Sequence, residues 1–276
     1  MNSLQHWESY ARFLRRFGMK NAVWFGDYCR YCEVEAVTRA VAAREIRTLL
    51  DIGCAGTLFP YYIGRLFPHA RVLGVDSGEH LALAPKEIMR LAARLDAAQR
   101  VRLFPADGRR LPFRAASVDA VTAVSVLEHI RGRGDVEAVR EMARVVRPGG
   151  LIAFTVPMAA RAVEQESDPS CGFFIRRYDE KTLADRLIHP AGPRSVEVHY
   201  FGEGVVPYSC WYLALRSAQE RWCRGGWKYK PLRYLAWTAL ALTPTASRLF
   251  LRVWVPRSPE AGRRTPGGAI VVLEKA

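Results

Sequence analysis

The sequence lacks the cysteine spacing of a disulfide framework. Its six cysteines, Cys29, Cys32, Cys54, Cys171, Cys210 and Cys223, are scattered through 276 residues, which suits a reducing compartment and excludes a small stapled scaffold. Cys29 and Cys32 form a lone C-x-x-C pair with no second pair and no histidines at ligand spacing, so no metal site is expected. An apolar leader is missing too: Trp7, Glu8, Arg12, Arg15 and Arg16 precede any apolar run, so no signal peptide is expected and the cytoplasm is the expected compartment. No uncharged run is long enough to cross a bilayer. The run over residues 234–247 is interrupted by Pro244 and falls short of the ~18 to 20 apolar residues that a spanning helix needs.

Lysine is scarce as well, and arginine supplies most of a formal net charge of +14. Such a charge invites a polyanionic partner, nucleic acid or an acidic membrane surface. Two observations weigh against nucleic acid. The segment Glu87–Arg100 spaces its arginines opposite Ile88, Leu91 and Leu95, as a solvated helix face does. No RNP-like strand, zinc-ribbon spacing or basic-aromatic tract specifies RNA. A GC-rich coding bias accounts for the arginine and alanine equally well, and no nucleic-acid partner is expected.

What is present begins with LLDIGCAGT, Leu49 to Thr57, and VLGVDSG, Val72 to Gly78. An apolar strand ends in an acid and a turn of small residues, and a second strand ends in Asp76. Small residues let backbone N–H groups approach a ligand, and a carboxylate closing the next strand can accept both hydroxyls of a ribose. The glycine turn alone is weak. Three further segments follow in register: VRLFPADGRRLPF (Val101 to Phe113), SVDAVTAVSVLEHI (Ser117 to Ile130) and EMARVVRPGGLIAFTVP (Glu141 to Pro157). GCAGT lacks the third glycine of G-x-G-x-x-G, which disfavours a dinucleotide-binding dehydrogenase.

Strand and helix patterns alternate from Ile46. Strands are predicted at Arg47–Ile52, Arg71–Val75, Val101–Phe104, Val118–Val124, Leu151–Val156, Ser195–Phe201 and Ala269–Ala276, with helices at Phe59–Phe67, Lys86–Ala98 and Val136–Val146. The first five strands are largely apolar and separated by crossover-length segments, as a parallel sheet covered on both faces requires. Four segments follow from this pattern: an N-terminal helical lid or cap (1–45), an α/β core (46–201), an aromatic-rich helical insert (202–268) and a final core strand (269–276). The insert carries five of the seven tryptophans, Trp211, Trp222, Trp227, Trp237 and Trp254. Buried tryptophans need a partner surface, so the insert walls a substrate pocket, with Trp211 and Tyr212 as candidate contacts, rests on a membrane surface, or forms a homodimer contact.

These motifs resemble the class I S-adenosylmethionine-dependent methyltransferases that act mainly on small molecules, closely over about Ile46 to Pro157. The resemblance implies a Rossmann-like, doubly wound, seven-stranded and mostly parallel sheet with an antiparallel last strand. It implies S-adenosyl-L-methionine as cofactor, with its methionine part over Asp51, Gly53, Cys54 and Ala55, its ribose at Asp76 beside Ser77, and its adenine at Asp107 and the Gly108 backbone. Ser125 and Val126 would line the sulfonium. The family usually has glycine where this chain has Ala55 and Thr57. It also implies that Tyr178, in the Arg-Arg-Tyr-Asp element, faces substrate.

Methyl transfer from a sulfonium is a direct displacement, so the protein chiefly aligns the reactants, and a base is needed only for a protonated acceptor. His129, just beyond the fourth strand, is the candidate catalytic base. His189 and His199 are not ranked by the sequence. The expected function is methylation of a small or medium-sized, fairly apolar metabolite, at oxygen. The alternatives are an RNA or protein methyltransferase and a non-catalytic module that keeps the fold.

Overall fold

The computed structural model describes residue 13 and residues 28–54, 59–77, 99–168, 173–201 and 267–276. Contacts divide the chain into one unit of residues 36–200 with 266–276 and another of residues 1–35 with 201–265. The helix predicted at Lys86–Ala98, the turn residues Ala55 to Thr57, and Trp211, Tyr212 and nearly all of the insert lie outside the described residues.

Helix α1 (Tyr28–Ala42) precedes β1 (Thr48–Ile52), α2 (Phe59–Leu66), β2 (Arg71–Asp76), β3 (Val101–Pro105), β4 (Val118–Val124), α3 (Gly134–Val145) and β5 (Val146–Pro157). A hairpin of β6 (Val163–Asp168) and β7 (Phe173–Arg177) follows. The chain continues through α4 (Glu180–Leu183), which runs on as a π-helical turn, to β8 (Pro193–Phe201) and β9 (Gly268–Lys275). Seven strands form one sheet in the order β3-β2-β1-β4-β5-β9-β8, parallel from β3 to β5 and antiparallel between β5 and β9. The expected fold class is therefore the observed one.

Every residue of β4 is buried, β1 is buried beyond its first residue, and β2 is buried from Val72 to Val75, as strands covered on both faces must be. Leu50, Val75, Val121, Phe154, Val271 and Met142 of α3 lie in one apolar cluster. At the start of the sheet Asp119 Oδ2 accepts from the backbone N–H groups of Arg47 (2.6 Å) and Thr48 (2.8 Å), which ties the entry of β1 to β4.

Two features depart from the sequence expectation. Strand β5 begins at Val146 rather than Leu151, because Val146 already pairs with Val118 and the R-P-G-G segment forms an irregularity before pairing resumes at Ala120 and Leu151. The polar stretch after Pro157 folds into the hairpin β6–β7, in which Val163 pairs with Arg177 and Glu164 with Arg176, forming a separate two-stranded sheet. Asp179 then caps α4, accepting from the Thr182 backbone N–H at 2.8 Å while Thr182 Oγ1 accepts from the Asp179 N–H, a reciprocal capping box.

Candidate functional site

Strands β1, β2 and β3 extend the sheet in one direction from its centre, and β4 and β5 in the other. Chain direction through the crossovers thus reverses between β1 and β4, and a crevice opens beyond the strand ends at such a switch point. Asp51, Gly53 and Cys54 lie at or just after the end of β1, Asp76 and Ser77 at the end of β2, Asp107 and Gly108 after β3, and Ser125 and Val126 after β4. The parallel register brings these predicted residues to one edge of the sheet.

The turn after β1 depends on glycine at one position. Gly53 has φ +78°, its N–H donates to the Val75 carbonyl at 2.8 Å, and a β-carbon there would lie 2.2 Å from Val126 Cγ2. Both the backbone conformation and the close approach of Val126 therefore demand glycine. The adjacent Cys54 is buried and free, packed where Gly74 of β2 leaves room: a β-carbon on Gly74 would meet its Sγ at 2.8 Å. Burial pushes the Cys54 thiol up, with Asp51 and Asp76 adding to the shift.

Asp51 is a buried carboxyl with one strong neighbour. Thr122 Oγ1 of β4 donates to its Oδ1 at 2.7 Å, and among the described residues no cation pairs with it. Burial pushes the acid up to about 7; the Thr122 hydrogen bond opposes this and the Asp76 charge reinforces it. At the end of β4, Ser125 has φ +53° and its N–H donates to Thr155 Oγ1 of β5 at 2.9 Å. A non-glycine residue in the left-handed region is strained, and such strain collects at functional sites.

Asp107 is engaged by its own loop. The Arg109 guanidinium meets its carboxylate through Nε at 3.0 Å and Nη2 at 2.6 Å, and the Arg109 backbone N–H adds a bond of 2.9 Å. The Arg109 side chain, foremost, holds the Asp107 carboxyl below the usual carboxylate range. An adenine amino group would share this carboxylate with Arg109.

His129 closes a short 3-10 turn, Leu127–His129, directly after β4, and its side chain is 37 % exposed. Its Nδ1 lies 2.8 Å from the Phe174 carbonyl of β7, and its Nε2 lies 3.8 Å from Glu128 Oε1. A carbonyl only accepts, so Nδ1 carries the hydrogen, and in the neutral ring Nε2 holds the lone pair. His189 pairs with Asp185 and His199 with Glu197; both histidine side chains are exposed.

The expectation that Tyr178 faces substrate is corrected. Tyr178 is completely buried, and its hydroxyl donates to Asp135 Oδ2 at 3.0 Å. Burial pushes the phenol up, and the Asp135 charge adds to it. Asp135, also fully buried, receives the Arg186 guanidinium at 2.9 and 2.7 Å and pairs with Arg176 at 2.8 Å. Asp135 and Arg186 lie in no motif, and Arg176 lies in the Arg-Arg-Tyr-Asp element, which drew attention only to its tyrosine; the alternation in FFIRR after the turn residues DPSCG was the available pointer to a hairpin.

Residues 50–154 match the family described as Methyltransferase domain. An uncharacterised chloroplastic methyltransferase of Arabidopsis thaliana is 27 % identical over 135 residues, which are 49 % of this chain and 36 % of the relative. The chain spans about a third of the length of the curated relatives it matches. Among solved structures, the 1,6-didemethyltoxoflavin-N1-methyltransferase of Burkholderia thailandensis aligns with 100 % of this chain and 91 % of its own, at 17 % identity and a TM-score of 0.54. A (4+2)-cyclase aligns with 91 % of this chain and 83 % of its own, at 20 % identity and the same TM-score, 0.54. Likeness at that identity shows the fold, and the fold alone does not select a reaction. Residues 50–154 therefore match a methyltransferase domain, and the seven-stranded sheet that carries them has the fold of the class I S-adenosylmethionine-dependent methyltransferases.

Proposed function

We propose that this protein transfers the methyl group of S-adenosylmethionine to an oxygen of a small or medium-sized, fairly apolar metabolite, with His129 as general base. The observation that carries the reading is the Phe174 carbonyl on His129 Nδ1, which gives the lone pair of the neutral ring to Nε2, on a side chain 37 % exposed just beyond β4 and 3.8 Å from Glu128 Oε1. A hydroxyl must lose its proton as it attacks, and an imidazole is matched to that task near neutral pH.

The residues present fit the cofactor. Asp51 is a buried carboxyl without a cationic partner among the described residues, which suits the ammonium of an amino acid, and Gly53 keeps the turn free of a β-carbon. Asp51, Gly53, Cys54 and Ala55 would hold the methionine part, Asp76 and Ser77 the ribose, Asp107 and the Gly108 backbone the adenine, with Ser125 and Val126 beside the sulfonium. The cofactor supplies a methyl group on a positively charged sulfur with a neutral leaving group. The chain's part is to align acceptor and methyl, an effect worth several kcal/mol of barrier, and to take the acceptor's proton at His129 Nε2.

The Burkholderia neighbour was crystallised with its small-molecule substrate and S-adenosylhomocysteine, which supports a small acceptor and makes nitrogen the runner-up atom. The net charge of +14 favours the second reading, an RNA or protein acceptor. A cofactor with a labelled methyl group, incubated with the protein and an extract of its source cells, should yield a labelled small molecule on mass spectrometry. Labelled RNA or polypeptide, with salt-sensitive affinity in the RNA case, would replace the small-molecule reading, and no labelled product at all would favour the non-catalytic module. His129→Asn keeps a donor for the Phe174 carbonyl but no base, so turnover should fall about a hundredfold or more with cofactor affinity unchanged. Near-normal turnover in that variant would remove the base.

A further inference from the structure

Two elements far apart in sequence meet at His129. The imidazole belongs to the turn after β4, but the carbonyl on its Nδ1 belongs to the β6–β7 hairpin, outside the main sheet. What keeps Phe174 at that height is Arg176, two residues along the same strand. Its side chain is 3 % exposed, and it donates to the carbonyls of Ile130 at 3.2 Å and Gly132 at 2.9 Å, in the segment that follows His129. Arg176 also lies 2.8 Å from Asp135 and 2.8 Å from Glu164 across the hairpin.

Asp135 in turn anchors the assembly to the first turn of α3. Besides Arg176 it takes the Tyr178 hydroxyl and both donating nitrogens of Arg186, whose Nη2 also reaches the Gly132 carbonyl. The Phe174 ring is held between two cations, with Arg131 at 5.3 Å and Arg176 at 5.2 Å from its centroid. A guanidinium presents its donors in a rigid fork, so one residue meets two carbonyls and two carboxylates at once, a geometry that an ammonium does not reproduce.

We propose that Arg176 and Asp135 are positioning residues: together they hold the Phe174 carbonyl on His129 Nδ1 and so select Nε2 as the nitrogen that accepts the proton. This rests on the base role proposed for His129 and adds how the working nitrogen is chosen. The logic parallels a metal-ligating histidine, whose second nitrogen is fixed by the hydrogen bond of the first. Without the clamp the ring is free to rotate or to carry its hydrogen on Nε2, and the fraction of molecules with a lone pair facing the acceptor falls.

The test is the nitrogen spectrum of the full chain labelled with 15N-histidine and loaded with S-adenosylhomocysteine. Above the titration of His129, the unaltered protein should show a protonated Nδ1 and an unprotonated Nε2 for this residue. Arg176→Met and Asp135→Asn should shift these signals toward a mixture of both tautomers. Formation of the methyl-labelled product from labelled cofactor should fall at least tenfold while the KM for cofactor stays the same. Arg176→Lys retains the charge without the fork and should resemble Arg176→Met, and it serves where the methionine variant does not fold. A protonated Nε2 in the unaltered protein, or an unchanged tautomer in a folded Arg176 variant, overturns the proposal. The two readings fail separately: near-normal turnover in His129→Asn removes the base, whereas an unchanged tautomer with an indispensable His129 removes only the positioning.

Discussion

Asp51 and Asp135 are both sealed from water, and the chain treats them in opposite ways. Asp51, near the C-terminal end of β1, receives the Thr122 hydroxyl and pairs with no cation among the described residues, and burial pushes it up to about 7. Asp135, in the first turn of α3, is met by two guanidiniums and a phenol. Where counter-charges surround it, a buried carboxylate fastens structure; where the described partner is a neutral hydroxyl, burial raises its pKa and it holds a proton more readily. Burial by itself does not assign the role. The partner set does.

The sharpest way to break this comparison is Asp135→Ala. It leaves the buried Arg176 with Glu164 alone as counter-charge and takes from Arg186 the carboxylate it meets, so unfolding free energy should drop by about 3 to 5 kcal/mol, read from the denaturant midpoint. A drop below about 1 kcal/mol would mean that the clamp does not hold the hairpin.

The next effect concerns pH. An unfolded Asp51 ionises at its ordinary 3.8 and the folded one near 7, so between these values the folded state keeps a proton that the unfolded state has lost. Stability therefore falls as pH rises from about 4 to about 7 and levels off above that window. At about 1.4 kcal/mol per unit of pKa difference, the loss attributable to Asp51 is about 4 kcal/mol at most. Asp51→Asn should remove this contribution and be the more stable protein at pH 8, in thermal unfolding compared across pH 4 to 8. Equal slopes in the two proteins would show that Asp51 carries no buried proton.

The smallest expected effect sharpens the cofactor end alone. Ser125→Gly relieves a left-handed backbone at φ +53° and should add about 1 kcal/mol, a change in midpoint without change in slope. No gain would mean that the bond from the Ser125 N–H to Thr155 relies on the side chain to keep its place.

Most of the sheet was legible from pattern. The strands from β1 to β4 lie within a residue of their expected bounds because apolar runs flanked by turns specify strands locally, even in β3, which is mostly exposed. Helices α2 and α3 likewise agree to within two residues. The placing of Asp51, Gly53, Asp76 and Ser125 at or beside strand ends was legible from the same pattern, and the parallel sheet carries those ends to one edge. The hairpin was not. Its acidic strand, VEQESD, lacks the apolar alternation of a half-buried strand, and it is stabilised by a guanidinium rather than by a core. Tyr178 was misassigned for a related reason: its motif marks the start of a helix, which Asp179 does cap, but says nothing of where the ring is buried.

By itself, then, the sequence determined the alternation of strands and helices, the glycine at position 53 and the acids that end the strands. These follow from side-chain period and turn chemistry, which act over a few residues. Only the tertiary structure decided that Asp135 meets Tyr178, 43 residues away, and Arg186, 51 residues away, and that His129 meets a carbonyl 45 residues on. The partner of a buried charge or of a ring nitrogen is chosen by chain paths that close far apart in sequence. No local pattern encodes that choice, and its chemistry is fixed only when the paths meet.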